Sequence, residues 1–156
     1  MQRNAPIKQR LIPILGIVAA LCWYVWFMYY SDSAYITAAM RGDSHRVLAL
    51  LSRGTPVDTT DSAGKSTALI HASHSPSSAS CRLLLDHGAN VNAKNGFGNT
   101  ALILASSSGR ADTVRLLLSR GADVNAVSNR GNTALRAARR EGHADIVAIL
   151  LAAGAK

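Results

Sequence analysis

The chain has 156 residues, about one domain's worth. With 17% charged residues and a mean hydropathy of +0.11, it is too apolar for wholesale disorder. Two cysteines exclude a disulfide scaffold and a four-cysteine zinc site, and the basic excess of +8 is scattered, with no run longer than Arg139-Arg140, which argues against nucleic acid as a partner.

Residues 1–10 carry Arg3, Lys8 and Arg10 and no acid; residues 11–30, LIPILGIVAALCWYVWFMYY, carry no charge. Twenty helical residues rise ~30 Å, the thickness of a hydrocarbon core, and in lipid a helix satisfies its own backbone. Pro13 falls in the first turn, where a missing N–H is harmless. Six of the chain's eight aromatics (Trp23, Tyr24, Trp26, Phe27, Tyr29, Tyr30) crowd the far end, where amphipathic rings seek the headgroups. This pattern predicts a transmembrane helix over 11–30, acting as a signal anchor behind a basic cytoplasmic flank at 1–10. The positive-inside bias sends residues 31–156 across.

The short chain and compact leader suit a bacterium, where the membrane is the inner one and the far side the periplasm. A cleaved signal peptide is the alternative, since Ser31, Ser33 and Ala34 come directly after the run; cleavage would release a secreted or periplasmic protein. The length of the run and its bulky aromatic end favour the anchor. Cys22 as a lipid acceptor is disfavoured by the bulky Leu21 before it.

Beyond residue 30, fourteen basic residues face all nine acids, a net of +5. Only Ser31, Asp32 and Ser33 lie between the aromatic belt and the domain beginning at Ala34, too few for a flexible tether. The domain is therefore expected close to the bilayer, where its charge favours contact with anionic lipid.

Three phrases recur in one order. Gly54-Thr-Pro-Val-Asp58, Gly88-Ala-Asn-Val-Asn92, Gly121-Ala-Asp-Val-Asn125 and Gly154-Ala155 start 34, 33 and 33 residues apart. Thr67-Ala-Leu69, Thr100-Ala-Leu102 and Thr133-Ala-Leu135 recur every 33. An apolar run ends at Leu51, Leu85, Leu118 and Leu151. Each Thr is placed to cap a short first helix carrying small residues such as Ala72 and Ala105. A turn at Gly42, Pro76, Gly109 or Gly142 leads to a second helix with an apolar stripe, closed by a left-handed glycine. An Asn/Asp/Gly-rich turn then projects before the next Thr. Units this small cannot bury their own apolar face, so neighbours must stack, at least three of them, and the chain offers four, at about 34–60, 67–93, 100–126 and 133–155.

Over residues 34–155 the chain resembles the ankyrin-repeat family, whose unit is a β-turn plus two helices. The resemblance rests on the Gly-Ala-Asn/Asp-Val-Asn phrase, the Gly-x-Thr start and the Val-x-Leu-Leu-Leu run. It implies an all-α solenoid of four helix-pair repeats with connecting β-turns, behind the transmembrane helix. The family's Thr-Pro-Leu-His becomes Thr-Ala-Leu followed by Ile70, Ile103 or Arg136, so the loop-linking hydrogen bond of that His is expected to be absent. Unit one lacks the Thr start. Unit two has an extra residue within Gly64-Lys-Ser-Thr67 and Pro76 in place of the inter-helix glycine, and is expected to be the least stable.

No catalytic constellation is present: Glu141 is the only glutamate and the aspartates mostly fall in turns or at helix starts, so no enzyme is predicted. Ala63-Gly-Lys-Ser-Thr67 mimics the end of a phosphate loop, but Thr59 stands where the first glycine belongs. His71, His74, Cys81 and His87 share unit two, yet Cys81 occupies a core column and His87 suits a helix end, so neither metal nor cofactor is predicted.

The resemblance implies a membrane-anchored protein-interaction module, scaffold or adaptor, that grips a partner protein with its turn tips and the exposed positions of the first helices, which line a concave face. Mapped onto this chain, the tips are Ser62-Ala63, Gly96-Phe97 and Asn129-Arg130, flanked by Lys65, Lys94, Asn99 and Asn132. The helix positions are Met40, Arg41, His74, Ser75, Ser107, Ser108, Arg140 and Glu141. Phe97 is the sharpest candidate, as the only Phe outside the apolar leader, because exposed aromatics and arginines anchor interfaces; the alternative is that it packs on its neighbouring turn or is a lone exposed apolar residue with no role. The alternative expectation for the chain is an exported soluble regulator or accessory factor.

Overall fold

The computed structural model describes residues 34–61 and 65–156. The basic flank, the 11–30 span, Cys22 and the tip Ser62-Ala63 lie outside them. Among the described residues no helix is long and apolar enough to cross a membrane. The elements are helices: α1 (residues 34–41), α2 (Ser44–Leu51), α3 (Ala68–Ala72), α4 (Ala79–Asp86), α5 (Ala101–Ser107), α6 (Ala111–Ser119), α7 (Ala134–Glu141) and α8 (Ala144–Ala152). They form four consecutive helix pairs. First helices pack on first helices (α3 on α5, α5 on α7) and second on second (α2 on α4, α6 on α8).

Helix starts coincide with the repeated threonines. Thr67, Thr100 and Thr133 have extended backbones, and each hydroxyl accepts from the N–H three residues on, at Ile70, Ile103 and Arg136. Asp43 does the same for α2 through the Arg46 N–H. The ends coincide with the repeated glycines. Gly54, Gly88, Gly121 and Gly154 all have φ between +82° and +92°. Each N–H donates three residues back (Gly88 to Leu85 O, 3.1 Å) and the next residue's N–H five back (Ala89 to Leu84 O, 3.0 Å). This is the Schellman closure, made the same way at all four glycines.

The core is one continuous seam. Leu84, Leu117 and Leu150 are fully buried, as are Val47, Cys81 and Val114. Between them the first helices contribute Ala72, Ala105 and Ala138, also fully buried, whose small side chains let neighbouring pairs approach closely. In unit one Tyr35 takes the place held by Leu69 further on, and its hydroxyl donates to Val57 O at 3.0 Å. Burial, then the Asp58 carboxylate, push this phenol's pKa up. Burial likewise pushes the Cys81 thiol up to about 12, so Cys81 is a neutral core residue.

A polar ladder runs beside the seam. Asn92 accepts from the Asp123 N–H (2.8 Å) and donates to Gly121 O (3.3 Å). One unit on, Asn125 accepts from the Lys156 N–H (3.0 Å) and donates to Gly154 O (3.4 Å). Asp58, with no donor, makes only the accepting half, from the Asn90 N–H at 3.1 Å.

Unit two departs where its sequence does. α3 has five residues and stops at Ala72, whereas α5 has seven and α7 eight. Pro76 cannot donate to Ala72 O, its ring would crowd that carbonyl, and it disfavours a helical backbone at Ser75. Serine hydroxyls fasten the turn instead: Ser73 Oγ donates to Ile70 O (2.7 Å), and Ser77 Oγ accepts from the Ala79 N–H (3.2 Å). The extra residue is absorbed at Lys65, whose φ of +53° costs a non-glycine residue about 1–2 kcal/mol.

Native-state hydrogen exchange is expected to show α3 and α4 opening at lower free energy than α5 and α6, and equal or better protection of unit two would overturn this. Replacing Asn92 by Ala removes both ladder bonds and should cost about 1–3 kcal/mol in urea unfolding, more than Asp58→Ala.

Candidate functional site

The turns between units project as tips of common design. In tip two, the Asn95 N–H donates to Asn99 O, and Asn95 Oδ1 accepts from the Phe97 and Asn99 N–H groups, all at 3.0 Å. In tip three, Ser128 pairs with Asn132 in the same way, 2.9 Å between backbones and 3.1 Å to the Ser128 hydroxyl. Arg136 Nη1 braces this tip by donating to Gly131 O at 2.8 Å. Tip one uses Asp61 with Ser66, one residue wider, to accommodate the insertion.

Tips two and three are tied together. The Asn129 N–H donates to Phe97 O (3.1 Å), Asn129 Nδ2 to Gly96 O (3.2 Å), and Lys94 Nζ to Val127 O (3.1 Å). No histidine is needed for this link; Ile70 and Ile103, at the family's histidine position, are core residues only 2% exposed. Gly98, at φ +75°, makes the close approach feasible: a Cβ there would meet the Asn129 side chain and lie 2.7 Å from its backbone N.

Between the two tips and the first helices α5 and α7 lies a groove of about 480 Å³. Phe97 and Asn99 of tip two and Arg130 and Asn132 of tip three line it. Ile103, Leu104 and Ala137 supply an apolar floor, with Ser107 and Arg140 toward the helix ends. Phe97 is 59% exposed although its backbone is held on both sides, so its ring is presented by a rigid mount. Six of the positions singled out in the sequence therefore converge: Phe97, Asn99, Ser107, Arg130, Asn132 and Arg140.

Lys94, Asn129, Met40, Arg41 and His74 are among those that do not line the groove. Lys94 and Asn129 are used in holding the tips together. Met40 and Arg41 are exposed near the end of α1. His74 joins unit two to unit three, with Nδ1 2.8 Å from Ser108 Oγ and its carbonyl accepting from Arg110 Nε at 3.1 Å. Its pKa is lowered by burial first, then by His71 and Arg110, which keeps it a neutral junction residue.

Sequence reasoning missed the floor. Ile103 lies three residues past the capping Thr100, and Leu104 and Ala137 lie four past Thr100 and Thr133. That spacing gave no separate signal, since Ile103 and Ala137 are buried in the core and Leu104 packs against it, and the groove borders that core.

The remaining decoys have local explanations. Lys65 is exposed and the Thr67 hydroxyl is committed to capping α3. His71 Nε2 lies 2.7 Å from Asp61 Oδ2, and His87 Nδ1 2.8 Å from Leu83 O, so the unit-two histidines face different partners. No group of three metal-ligating side chains occurs among the described residues.

Replacing Gly98 by Ala should lower stability by about 2–4 kcal/mol, from its left-handed φ and the collision with Asn129, and should free tip two from tip three. Thermal unfolding and the exchange rate of the Asn129 amide report the two effects.

No curated protein matches the chain in sequence. The family profile described as ankyrin repeats (3 copies) matches residues 35–128 and 94–156, which together take in nearly the whole helical stack. Repeated caps, glycine closures, a shared seam and projecting tips at a constant period agree with that match, and the chain belongs to the ankyrin-repeat family.

Proposed function

We propose that this chain is a membrane-anchored protein–protein interaction module that holds a partner protein in the groove between tips two and three. The observation carrying this reading is the groove itself. Ankyrin repeats imply a protein partner in general, and here a 59% exposed Phe97, its backbone hydrogen-bonded on both sides, shares one depression with Arg130 and apolar residues. Aromatic and Arg side chains in a partly desolvated depression are the usual energetic centres of protein interfaces. The groove is lined by neither an acid nor a histidine.

Anchoring is supported by the uncharged run from Leu11 to Tyr30, its basic flank and its aromatic end. In this reading the repeats act on the side of the membrane opposite the N-terminus, the periplasm in a bacterium. The small residues Ser31, Ser33 and Ala34 favour the second reading, a soluble exported form released by cleavage.

A photocrosslinking amino acid at Phe97 should trap a protein, and Phe97→Ala should weaken recovery of that protein roughly tenfold or more. Adducts formed equally well from an exposed position off the groove, such as Arg115, would remove the groove reading. An intact mass of the full chain in the membrane fraction is expected; a mature chain starting near Ser33 or Ala34 would establish release.

A further inference from the structure

The asparagines among the described residues divide into two groups. Asn90, Asn92, Asn95, Asn125 and Asn129 all spend their side chains inside the protein, on turns, on the ladder or on the tie between tips. Asn99 and Asn132 do not. They engage through backbone groups alone, and their side-chain amides make no hydrogen bond among the described residues. Both line the groove, at equivalent places in adjacent units. An amide that builds nothing in the fold, repeated at equivalent places in one depression, is placed to read a ligand. Carrying a donor and an acceptor, it suits the peptide backbone.

The charge of the groove is one-sided. Arg130 and Arg140 are its only charged lining residues and no carboxylate lines it. The Arg130 side chain forms no hydrogen bond or ion pair among the described residues. Arg140 meets one acid, Glu141, through Nε at 2.9 Å, an exposed contact that leaves its terminal nitrogens for a second carboxylate. At about 480 Å³ the groove holds a short segment of chain rather than a folded surface. Two cations are too few to track a nucleic-acid backbone.

We propose that the groove selects an acidic peptide segment bearing an apolar side chain. The apolar side chain packs on Phe97 over Ile103 and Leu104, Asp or Glu side chains meet Arg130 and Arg140, and Asn99 and Asn132 bond the backbone between. Glu141 competes with the ligand for Arg140. The inference rests on the protein-binding reading above and supplies the chemistry of its partner.

The test uses the full chain in neutral detergent and an array of synthetic peptides in three sets: acidic with one Phe or Leu, the same with Lys replacing the acids, and the same with Ser replacing the apolar residue. The first set should bind and the other two should not, with affinity falling as salt rises. The double variant Arg130→Glu with Arg140→Glu, whose exposed positions leave the seam untouched, should lose the acidic set by roughly tenfold or more and gain the basic set. Glu141→Gln should tighten the acidic set, by up to about fivefold.

Equal binding of acidic and basic sets, indifference to charge reversal, or weaker binding in Glu141→Gln would each overturn the proposal. So would displacement of the bound peptide by dioctanoyl phosphatidylserine, a soluble anionic lipid, which would assign the groove to a headgroup. A protein trapped at Phe97 alongside an array with no binders would sink the acidic-peptide inference and leave the broader reading standing. Adducts that ignore the groove would sink that reading.

Discussion

Burial shared between neighbours is the constraint on which every other feature of this fold depends. A pair of helices of five to nine residues is too short to persist in water, and each exposes an apolar stripe it cannot cover. Stacking solves both problems. Leu84, Leu117 and Leu150 are fully buried because each unit closes the face its neighbour leaves open, and alanines at 72, 105 and 138 let the pairs come close enough. The pattern changes at α7, where exposed Arg136 and Arg139 replace the apolar or small residues Ile103 and Ser106.

The same stacking explains why polar residues are tolerated so near the seam. Asn92 and Asn125 bond backbone groups of the following unit, so each interface carries directional contacts that set register as well as apolar area that sets affinity. Register matters for function, because the groove exists only if tip two and tip three hold a fixed separation. The Asn129 bonds to Phe97 O and Gly96 O fix it locally, and the seam fixes it globally. Two core hydroxyls, Ser80 Oγ and Ser106 Oγ, have no hydrogen-bond partner among the described residues.

Unit two shows what irregularity does in a one-dimensional stack. Pro76 shortens α3, a serine network holds the turn, and Lys65 takes a left-handed backbone to absorb one added residue. These features are expected to weaken the unit, and they lie away from the groove, which is built from units three and four and the tip that enters unit three. Local weakness and a rigid site coexist because each unit answers only to its immediate neighbours.

Much of the fold was legible in the residue order, because caps and closures are local chemistry. A Thr hydroxyl reaches an N–H three residues away, and a glycine accepts a left-handed φ, whatever surrounds them; hence helix starts at Thr67, Thr100 and Thr133 and stops at Gly54, Gly88, Gly121 and Gly154 were readable from spacing. Exposure of Phe97 was readable too, since a turn tip offers little to bury a ring. Which tips meet was not. Nothing in the order of residues distinguishes Asn99 and Asn132, with side chains unspent, from Asn92 and Asn129, which are committed 29 to 33 residues away. Nor does it reveal that Met40, Arg41 and His74 lie off the groove while Ile103, Leu104 and Ala137 form its floor. Those assignments depend on distances between atoms a full repeat apart, and such distances come into being only when the units stack.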